Sequence, residues 1–540
     1  MRATDAVRRG LLCASVPLCL GASPLRSQQR TVDVQSYHFR IDLPDSGNHI
    51  DGLATVLFTT KRGYDDTLRL DLVGMQVRRV FDVNNMEQLP FRHDGTVLRV
   101  ATRTMVRKQR MGVVVEYGGE PRDGLIIRTN ARGRRSIFGD NWPNRARFWL
   151  PTIDHPSDKA RVLWSIQVPA GWRGIANMPE CRPQPRVCNE SAPIPTYTMV
   201  LGATEMTTSV HRPARIARDP VTGRTQIPIE VWTYPEDSAF ADSVPFARAT
   251  EIVEAGSRII GPFPFAKLSH VQSSTRYGGM ENSTEIFYAE NPYVRRSMRE
   301  GVVRHETAHQ WFGDAVTPAD WHHVWLSEGF ATYFDLVIGA ALSGDTLLQA
   351  GMRRAAETVK NSEVISRPII DTGITDPNQE LSANSYQKGA WVLHMLRGLV
   401  GDSAFFAGIR DYYRVYRDSS VLTTQFQRVM ERSSGRRLEW FFGQWLRQPG
   451  FPRLDVAWRS DGAGHVRVEV AQLQQWGRFT IPNVPIDFLK NGQVFARRFL
   501  ALQPQQNSQV VEFDLGDVPD AVAIDADGTL LLTADVRGLP

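Results

Sequence analysis

The chain has 540 residues, of which 42% are hydrophobic, and a formal net charge of +5. This length predicts about three domains, and the hydrophobic content suffices for sizeable cores, which excludes a disordered chain. Four arginines and one aspartate within residues 1–27 contribute +3, which leaves +2 for the remainder. A body so close to neutral gives no indication of a nucleic-acid partner.

Residues 1–27 have the pattern of a secretory signal peptide. Arg2, Arg8 and Arg9 precede an apolar run, residues 10–20, that is too short to span a bilayer. Small residues at 21–23, and Ser27 further on, are candidate cleavage positions. Cys19 raises lipid anchoring as an alternative, but the residues before it fit a lipobox poorly. We therefore expect an exported protein, periplasmic or secreted, without a transmembrane helix.

Cysteine usage agrees with export. Two of the four cysteines lie in the signal, and the other two, Cys181 and Cys188, close a short proline-rich loop. In an oxidising compartment such a pair most simply forms a disulfide. Two free thiols remain the alternative.

Hydrophobic patterning divides the remainder into three predicted domains. Period-two alternation, as in residues 37–43 and 67–72, predicts an all-β, sandwich-like N-terminal domain over 28–208. Helical and short strand patterns then predict an α+β domain over 209–449. Alternation returns in 450–540 and predicts a small C-terminal β-sandwich, in which Pro485 places its strand at a sheet edge or a strand start.

The sequence motif that indicates chemistry is His-Glu-x-x-His at residues 305–309. On a helix, residues four apart share a face, so His305 and His309 lie about 6 Å apart and can hold one zinc ion. Glu306 reaches the same face from the side, where a general base that takes a proton from the attacking water belongs.

A catalytic zinc site uses three protein ligands and keeps a position open, so a third ligand is expected. Residues 325–334 predict a second helix that starts near Ser327. Eighteen residues separate His309 from Glu328, enough to end the first helix, turn, and return antiparallel. We predict Glu328 as the third ligand.

These residues and their flanks, 310–313 and 325–331, resemble the M1 (gluzincin) family of zinc metallopeptidases, which includes aminopeptidase N and leukotriene A4 hydrolase. The resemblance implies one zinc ion per chain, a thermolysin-like catalytic domain, and peptide substrates with a free N-terminus. Many members add a large C-terminal helical domain, and we expect none here and a more open cleft.

Residues 278–282, Gly278-Gly279-Met280-Glu281-Asn282, resemble the family's Gly-Ala-Met-Glu-Asn exopeptidase motif, with glycine at the alanine position. Glycines let a substrate backbone approach an edge strand, which can pair with an extended peptide. Glu281 places a negative charge where a peptide's α-ammonium group would sit. We therefore predict that these five residues bind substrate.

Residues 384–392 resemble the family segment that brings a tyrosine hydroxyl to the scissile carbonyl, which implies that Tyr386 stabilises the oxyanion. Relatives also offer a glutamine or glutamate to the substrate's amine. Its matching position here is Trp142, which departs from the family pattern, and Asp140 and Asn141 are candidates to replace that contact, between which the sequence does not decide.

His322 and His323 lie between the two predicted helices, and Ser327 lies at the start of the second. His322 and His323 are further candidate ligands, but with three ligands assigned they are better interpreted as loop residues or hydrogen-bond partners of the site. Ser327 stands where the family usually has asparagine, so we expect a different hydrogen bond beside the zinc ligands.

The sequence therefore predicts a zinc aminopeptidase with Glu306 as the general base. Three alternatives stay open: a zinc endopeptidase of thermolysin type, an epoxide hydrolase with the same zinc site, and an inactive exported binding scaffold. Glu281 disfavours the endopeptidase, and the intact set of His305, Glu306, His309 and Glu328 disfavours the scaffold. The sequence gives neither the preferred first residue nor the oligomeric state.

Overall fold

The computed structural model describes residues 31–103, 111–177, 192–505 and 508–539. The predicted signal peptide, residues 1–27, and the predicted Cys181–Cys188 disulfide lie outside these ranges. The described chain is rich in β-strands, with ten helices concentrated between residues 238 and 447. At this level the predicted mixture of β-sheets and helices is confirmed, whereas the domain boundaries and the thermolysin-like assignment stay predictions.

The first part of the chain forms three sheets, whose strand orders are β12-β10-β1-β2-β7-β4, β11-β13-β9-β8 and β3-β6-β5. Alternating burial explains the strands: Phe39 and Ile41 in β1 are fully buried, whereas Arg40 between them is exposed. The strands are β1 (Val32–Asp42), β2 (Ile50–Thr60), β3 (Thr67–Asp71), β4 (Gln76–Asp82), β5 (Phe91–His93), β6 (Val97–Ala101), β7 (Met111–Gly119), β8 (Leu125–Thr129), β9 (Arg135–Gly139), β10 (Lys159–Gln167), β11 (Arg173–Ala176), β12 (Ile194–Pro195) and β13 (Leu201–Thr204).

The middle part contains a five-stranded sheet of order β14-β15-β16-β18-β17, followed by most of the helices. Its strands are β14 (Thr207–Arg215), β15 (Gln226–Thr233), β16 (Leu268–Ser273), β17 (Gly279–Met280) and β18 (Glu285–Ala289), and β19 (Val316–Pro318) and β20 (Ser419–Val421) pair separately. The helices are α1 (Ser238–Ser243), α2 (Ala249–Ile259), α3 (Asn291–Val294), α4 (Glu300–His309), α5 (Trp325–Ser343), α6 (Thr346–Lys360), α7 (Gly389–Val400), α8 (Asp402–Tyr416), α9 (Thr423–Ser434) and α10 (Glu439–Arg447).

Helix α5 is the central helix of the middle part. Apolar side chains on most of its faces, among them Phe330, Phe334 and Ile338, are fully buried, as expected of a helix surrounded by protein. It ends at Gly344, whose positive φ of 96° favours glycine. Its first turn, which carries Glu328, is thereby held within the core beside α4.

The last part forms two sheets, of strand orders β25-β22-β21-β27 and β24-β23-β26, around a shared apolar core. The prediction for Pro485 is wrong, because it lies inside β23, the central strand of its sheet. Pairing of β23 with β26 begins only at Ile486, so proline's missing N–H removes no hydrogen bond on that side. The strands are β21 (Arg453–Ser460), β22 (His465–Gln472), β23 (Ile481–Lys490), β24 (Gln493–Leu502), β25 (Ser508–Asp514), β26 (Ala521–Ile524) and β27 (Thr533–Gly538).

No helix among the described residues is both long enough and apolar enough to cross a membrane.

Candidate metal centre and substrate cleft

Helices α4 and α5 bring the three predicted metal ligands together. The Nε2 atoms of His305 and His309 lie 3.2 Å apart, and Glu328 Oε2 lies 3.5 Å from the first and 3.3 Å from the second. Tetrahedral zinc with ligands at about 2.0–2.1 Å holds pairs of ligand atoms about 3.3–3.4 Å apart. The three atoms therefore have the spacing of a zinc ligand set.

Two further observations support a metal at this position. Glu328 Oε2 is buried and has no hydrogen-bond partner among the described residues, which would be costly without a cation. Burial alone would raise the pKa of Glu328, but the charges of His309 and His305 lower it to about 2, so this carboxylate is ionised and can bind a cation. The residues present therefore fit zinc.

A hydrogen bond orients His309. Its Nδ1 lies 3.0 Å from Ser327 Oγ and 3.2 Å from the carbonyl oxygen of Phe312. A proton on Nδ1 can be donated to these oxygens, which leaves Nε2 free as a ligand. The predicted difference at Ser327 thus takes a definite form: a hydroxyl fills the place of an asparagine amide.

Glu306 lies beside the ligands and is buried. Burial raises the pKa of its carboxyl to about 7, against the opposing charges of His305 and His309. A carboxylate with a pKa near neutrality suits a general base. A Cβ atom at position 279 would collide with the Glu306 carboxylate, so glycine there leaves room for this side chain.

Strand β17 forms the edge of the five-stranded sheet next to Glu306. Gly279 and Met280 pair on one side with Tyr288 and Phe287 of β18, which leaves the outer edge of β17 without a neighbouring strand in the described structure. Such an edge can accept an extended peptide by main-chain hydrogen bonding.

Glu281 follows this edge directly. Burial raises the pKa of its carboxyl, and the nearby Glu328 adds to the effect, while His309 and His305 oppose it. An ammonium group from a substrate would relieve this accumulation of negative charge. Of the five predicted substrate-binding residues, Gly279, Met280 and Glu281 line the cleft.

The other two predicted substrate-binding residues, Gly278 and Asn282, lie outside the lining of the cleft. Gly278 is exposed before the strand. Asn282 is fully buried, and its side-chain amide has no hydrogen-bond partner among the described residues. The described cleft does not include either residue among its lining.

Tyr386 completes the polar side of the cleft. It lies in a short π-helical segment, Asn384–Lys388, and its ring is nearly parallel to that of His305, at 6.1 Å between centroids. Burial raises its pKa well above 10, and the charges of Glu328 and Glu281 add to this. The hydroxyl therefore stays protonated and can donate a hydrogen bond.

The structure does not support Asp140 or Asn141 as replacements for that contact. Asp140 is buried and pairs with the guanidinium of Arg145, and the Asn141 amide donates to the Met199 carbonyl at 2.6 Å. Both side chains are thus engaged within the protein, and neither lines the cleft. Trp142 instead lines the cleft.

The two histidines of the α4–α5 connection bind other partners. His322 Nδ1 lies 2.8 Å from the Glu380 carboxylate, and His323 Nδ1 lies 2.8 Å from Thr423 Oγ1. Neither belongs to the ligand cluster found among the described residues, in agreement with their interpretation as loop residues.

Two residues near Glu281 escaped the sequence analysis. The Gln310 side chain donates from Nε2 to the Glu281 carbonyl and accepts at Oε1 from the Thr284 N–H, both at 3.0 Å. It thus joins the end of α4 to the segment that carries Glu281. Its position directly after the His-Glu-x-x-His motif was the one available signal.

The second is Tyr197, which belongs to the first part of the chain. Its hydroxyl donates to the Gly313 carbonyl at 3.1 Å, and burial together with the charges of Glu281, Asp314 and Glu328 raises its pKa well above 10. No sequence signal marks this tyrosine, because 116 residues separate it from its hydrogen-bond partner.

Known proteins agree with this geometry. The family model described as the peptidase family M1 domain matches residues 246–445, which include both helices and the edge strand. These residues belong to the M1 peptidase family. This confirms the resemblance drawn from the motifs.

The curated relatives that this chain matches are named aminopeptidases. Leucyl aminopeptidase of Saccharolobus solfataricus is 24% identical over 486 residues, which cover 84% of this chain and 58% of the relative. Glutamyl aminopeptidase of Homo sapiens is 26% identical and is covered over 41% of its length, against 71% of this chain. The chain therefore spans about half the length of the curated relatives it matches.

The match to solved M1 structures covers a larger share of those chains than the match to the curated relatives does. The M1 zinc metallopeptidase from Deinococcus radiodurans is 25% identical, with a TM-score of 0.66, and the match covers 78% of this chain and 95% of that one. A mutant of that enzyme with a Tyr-Ser-Ala substrate is 26% identical, with a TM-score of 0.65.

Proposed function

We propose that this chain is a zinc-dependent aminopeptidase that removes single residues from the N-terminus of peptides. The observation that carries the proposal is the position of Glu281 in the same cleft as His305, His309 and Glu328. A carboxylate at that end of an edge strand can pair with an α-ammonium group. Cleavage then falls after the first residue.

Each polar side chain has a part in this reaction. Zinc held by His305, His309 and Glu328 would supply Lewis acidity toward the peptide carbonyl and would activate water. Glu306 accepts the proton of the attacking water and passes it to the leaving amine as the C–N bond breaks. Tyr386 donates a hydrogen bond to the carbonyl oxygen as negative charge develops there.

Similar proteins support this assignment. The curated relatives are named aminopeptidases, and the solved relative with Tyr-Ser-Ala holds a peptide substrate. Their names differ in the first residue, leucyl in one and glutamyl in another, so they leave the preferred residue of this chain open.

The endopeptidase alternative remains as a second candidate because the edge strand alone would accept any extended peptide. The two activities differ in their need for a free amine. Peptides of identical sequence with free and acetylated N-termini separate them: a product shortened by one residue from the free peptide alone supports the aminopeptidase. Cleavage of both peptides at an internal bond supports the endopeptidase.

An epoxide substrate added to this panel tests the epoxide hydrolase and scaffold alternatives. Conversion of an epoxide with no peptide cleavage would replace the proposed substrate class. Zinc binding with no turnover of either substrate would favour a scaffold.

We also propose that the chain is exported, to the periplasm or the medium, with residues 28–208, 209–449 and 450–540 as three domains and a Cys181–Cys188 disulfide. The support is the arginine-led apolar run in residues 1–27 and the cysteine pair in the rest of the chain. Cell fractionation with N-terminal sequencing tests export, and non-reducing peptide mapping tests the disulfide. An intact N-terminus in the cytoplasmic fraction would refute export.

A further inference from the structure

One wall of the cleft is apolar. It is formed by Trp142, Tyr277, Met280 and Leu381, which belong to one apolar cluster, and Glu281, Glu328 and Tyr386 line the same cleft. We infer that this wall receives the side chain of the substrate's first residue and selects large apolar or aromatic side chains over acidic ones. This inference rests on the proposed function, since Glu281 must hold the amine for the first side chain to reach the wall.

The wall is held in place by aromatic packing. The Trp142 ring meets Tyr277 edge to face at 6.1 Å and Trp321 at 5.3 Å between centroids. Trp321 in turn packs against Tyr197 at 5.2 Å and donates from Nε1 to Asn144 at 3.0 Å. Because Trp142, Trp321 and Tyr197 are buried and several neighbours fix their rings, this part of the wall exists before substrate binds.

The wall offers no unpaired cation to an acidic side chain. None of its residues is a lysine or arginine. The Arg145 guanidinium lies 5.7 Å from the Tyr277 ring but pairs with Asp140, and Arg276 hydrogen-bonds to Asp123. A glutamate or aspartate side chain placed there would be desolvated without a partner and would face Glu281.

An apolar side chain meets the opposite situation. It loses water on binding and replaces it with contacts to the indole, phenol, thioether and isobutyl groups of the wall. Each added methylene in such a pocket changes selectivity by about tenfold or more. Leucine and phenylalanine should therefore exceed alanine, and alanine should exceed glutamate.

The first test measures kcat/KM on zinc-loaded protein with leucyl, phenylalanyl, alanyl and glutamyl amides of one fluorogenic amine. We expect the leucyl or phenylalanyl substrate to exceed the glutamyl one by about a hundredfold, because the acidic side chain is left unpaired. Equal or faster turnover of the glutamyl substrate would overturn the inference while leaving the aminopeptidase function intact.

The second test changes the charge of the wall. Leu381 is half-buried in the connection before Tyr386, so the ammonium group of a lysine there can stay partly hydrated. Leu381→Lys should raise the ratio of glutamyl to leucyl turnover by about tenfold, since a cation now meets the carboxylate. Leu381→Gln is the matched neutral control and should raise that ratio by a smaller factor, since it removes the isobutyl contact without adding a cation. No difference between the two variants would count against the wall as the site of the first side chain.

A binding measurement separates failure of this inference from failure of the proposed function. If no amide is hydrolysed although zinc is bound, the proposed function fails. Calorimetric titration with L-leucine and L-glutamate then decides the inference alone. Leucine binding about tenfold tighter than glutamate supports the apolar wall. Equal or tighter glutamate binding refutes it.

Discussion

The two ends of the cleft are built in different ways. The metal end comes from two adjacent helices of the M1 domain, with ligands within 24 residues of one another. The amine end combines Glu281 on the edge strand, Gln310 after α4, and Trp142 and Tyr197 from the first part of the chain. Chemistry common to a family can reside in one compact segment, whereas recognition depends on how distant segments meet.

Breaking the metal end should have the largest effect. Glu306→Gln keeps the shape of the side chain but removes the proton acceptor, so we expect kcat to fall by about 10²–10⁴-fold. Zinc content, measured by atomic absorption, should stay at one ion per chain. Glu357→Gln, an exposed change on α6, is the matched control and should leave kcat unchanged. Near-normal turnover in Glu306→Gln would remove this residue from the mechanism.

Breaking the amine end should affect binding of free amines in particular. Glu281→Gln replaces a charged acceptor by a neutral one, and a charge-assisted hydrogen bond contributes about 1.5–3 kcal/mol, or about 10- to 150-fold. We expect kcat/KM for a free aminoacyl amide to fall by that factor with zinc affinity retained. An unchanged preference for free over N-acetylated substrates would show that the amine binds elsewhere.

The hydrogen bond between Ser327 and His309 should affect zinc affinity more than catalysis. Ser327→Ala removes one of two hydrogen bonds to His309 Nδ1, and we expect zinc affinity to fall by about tenfold, the lower end for such partners, because the Phe312 carbonyl remains. Competition with a chromophoric chelator measures this without reference to activity. Ser327→Asn keeps a hydrogen-bonding group and should retain most of the affinity. Identical affinities in all three proteins would contradict this role.

The hydrogen bond from Gln310 to the Glu281 carbonyl positions the amine end, and its loss should have the smallest effect on turnover. Gln310→Met removes the donor to the Glu281 carbonyl without adding a charge, and one neutral hydrogen bond contributes about 0.5–1.5 kcal/mol, or about two- to tenfold. We expect that factor in KM for free aminoacyl amides, with kcat little changed. A fall confined to kcat would show that Gln310 acts on the metal end instead.

The sequence was sufficient for the metal end. Helical periodicity puts His305 and His309 on one face, and the chain length to Glu328 allows the return of α5, so local rules identified all three ligands. The same local rules found the strands that alternate in burial, such as β1 with Phe39 and Ile41 inside.

The amine end needed the tertiary structure. Asp140 and Asn141 look like substrate-facing polar residues in sequence, but Arg145 and the Met199 carbonyl engage them. Tyr197 reaches Gly313 only because the first and middle parts of the chain pack together. Pro485 was misplaced for a related reason: its effect depends on where pairing with a neighbouring strand begins.

The most direct test of the account uses one aminoacyl amide and its N-acetylated counterpart, each assayed with zinc-loaded and chelated protein. We predict that only the substrate with a free amine is hydrolysed, and that this activity is lost on chelation and restored by zinc. Equal hydrolysis of the acetylated substrate would contradict the central claim that Glu281 anchors a free amine beside the metal.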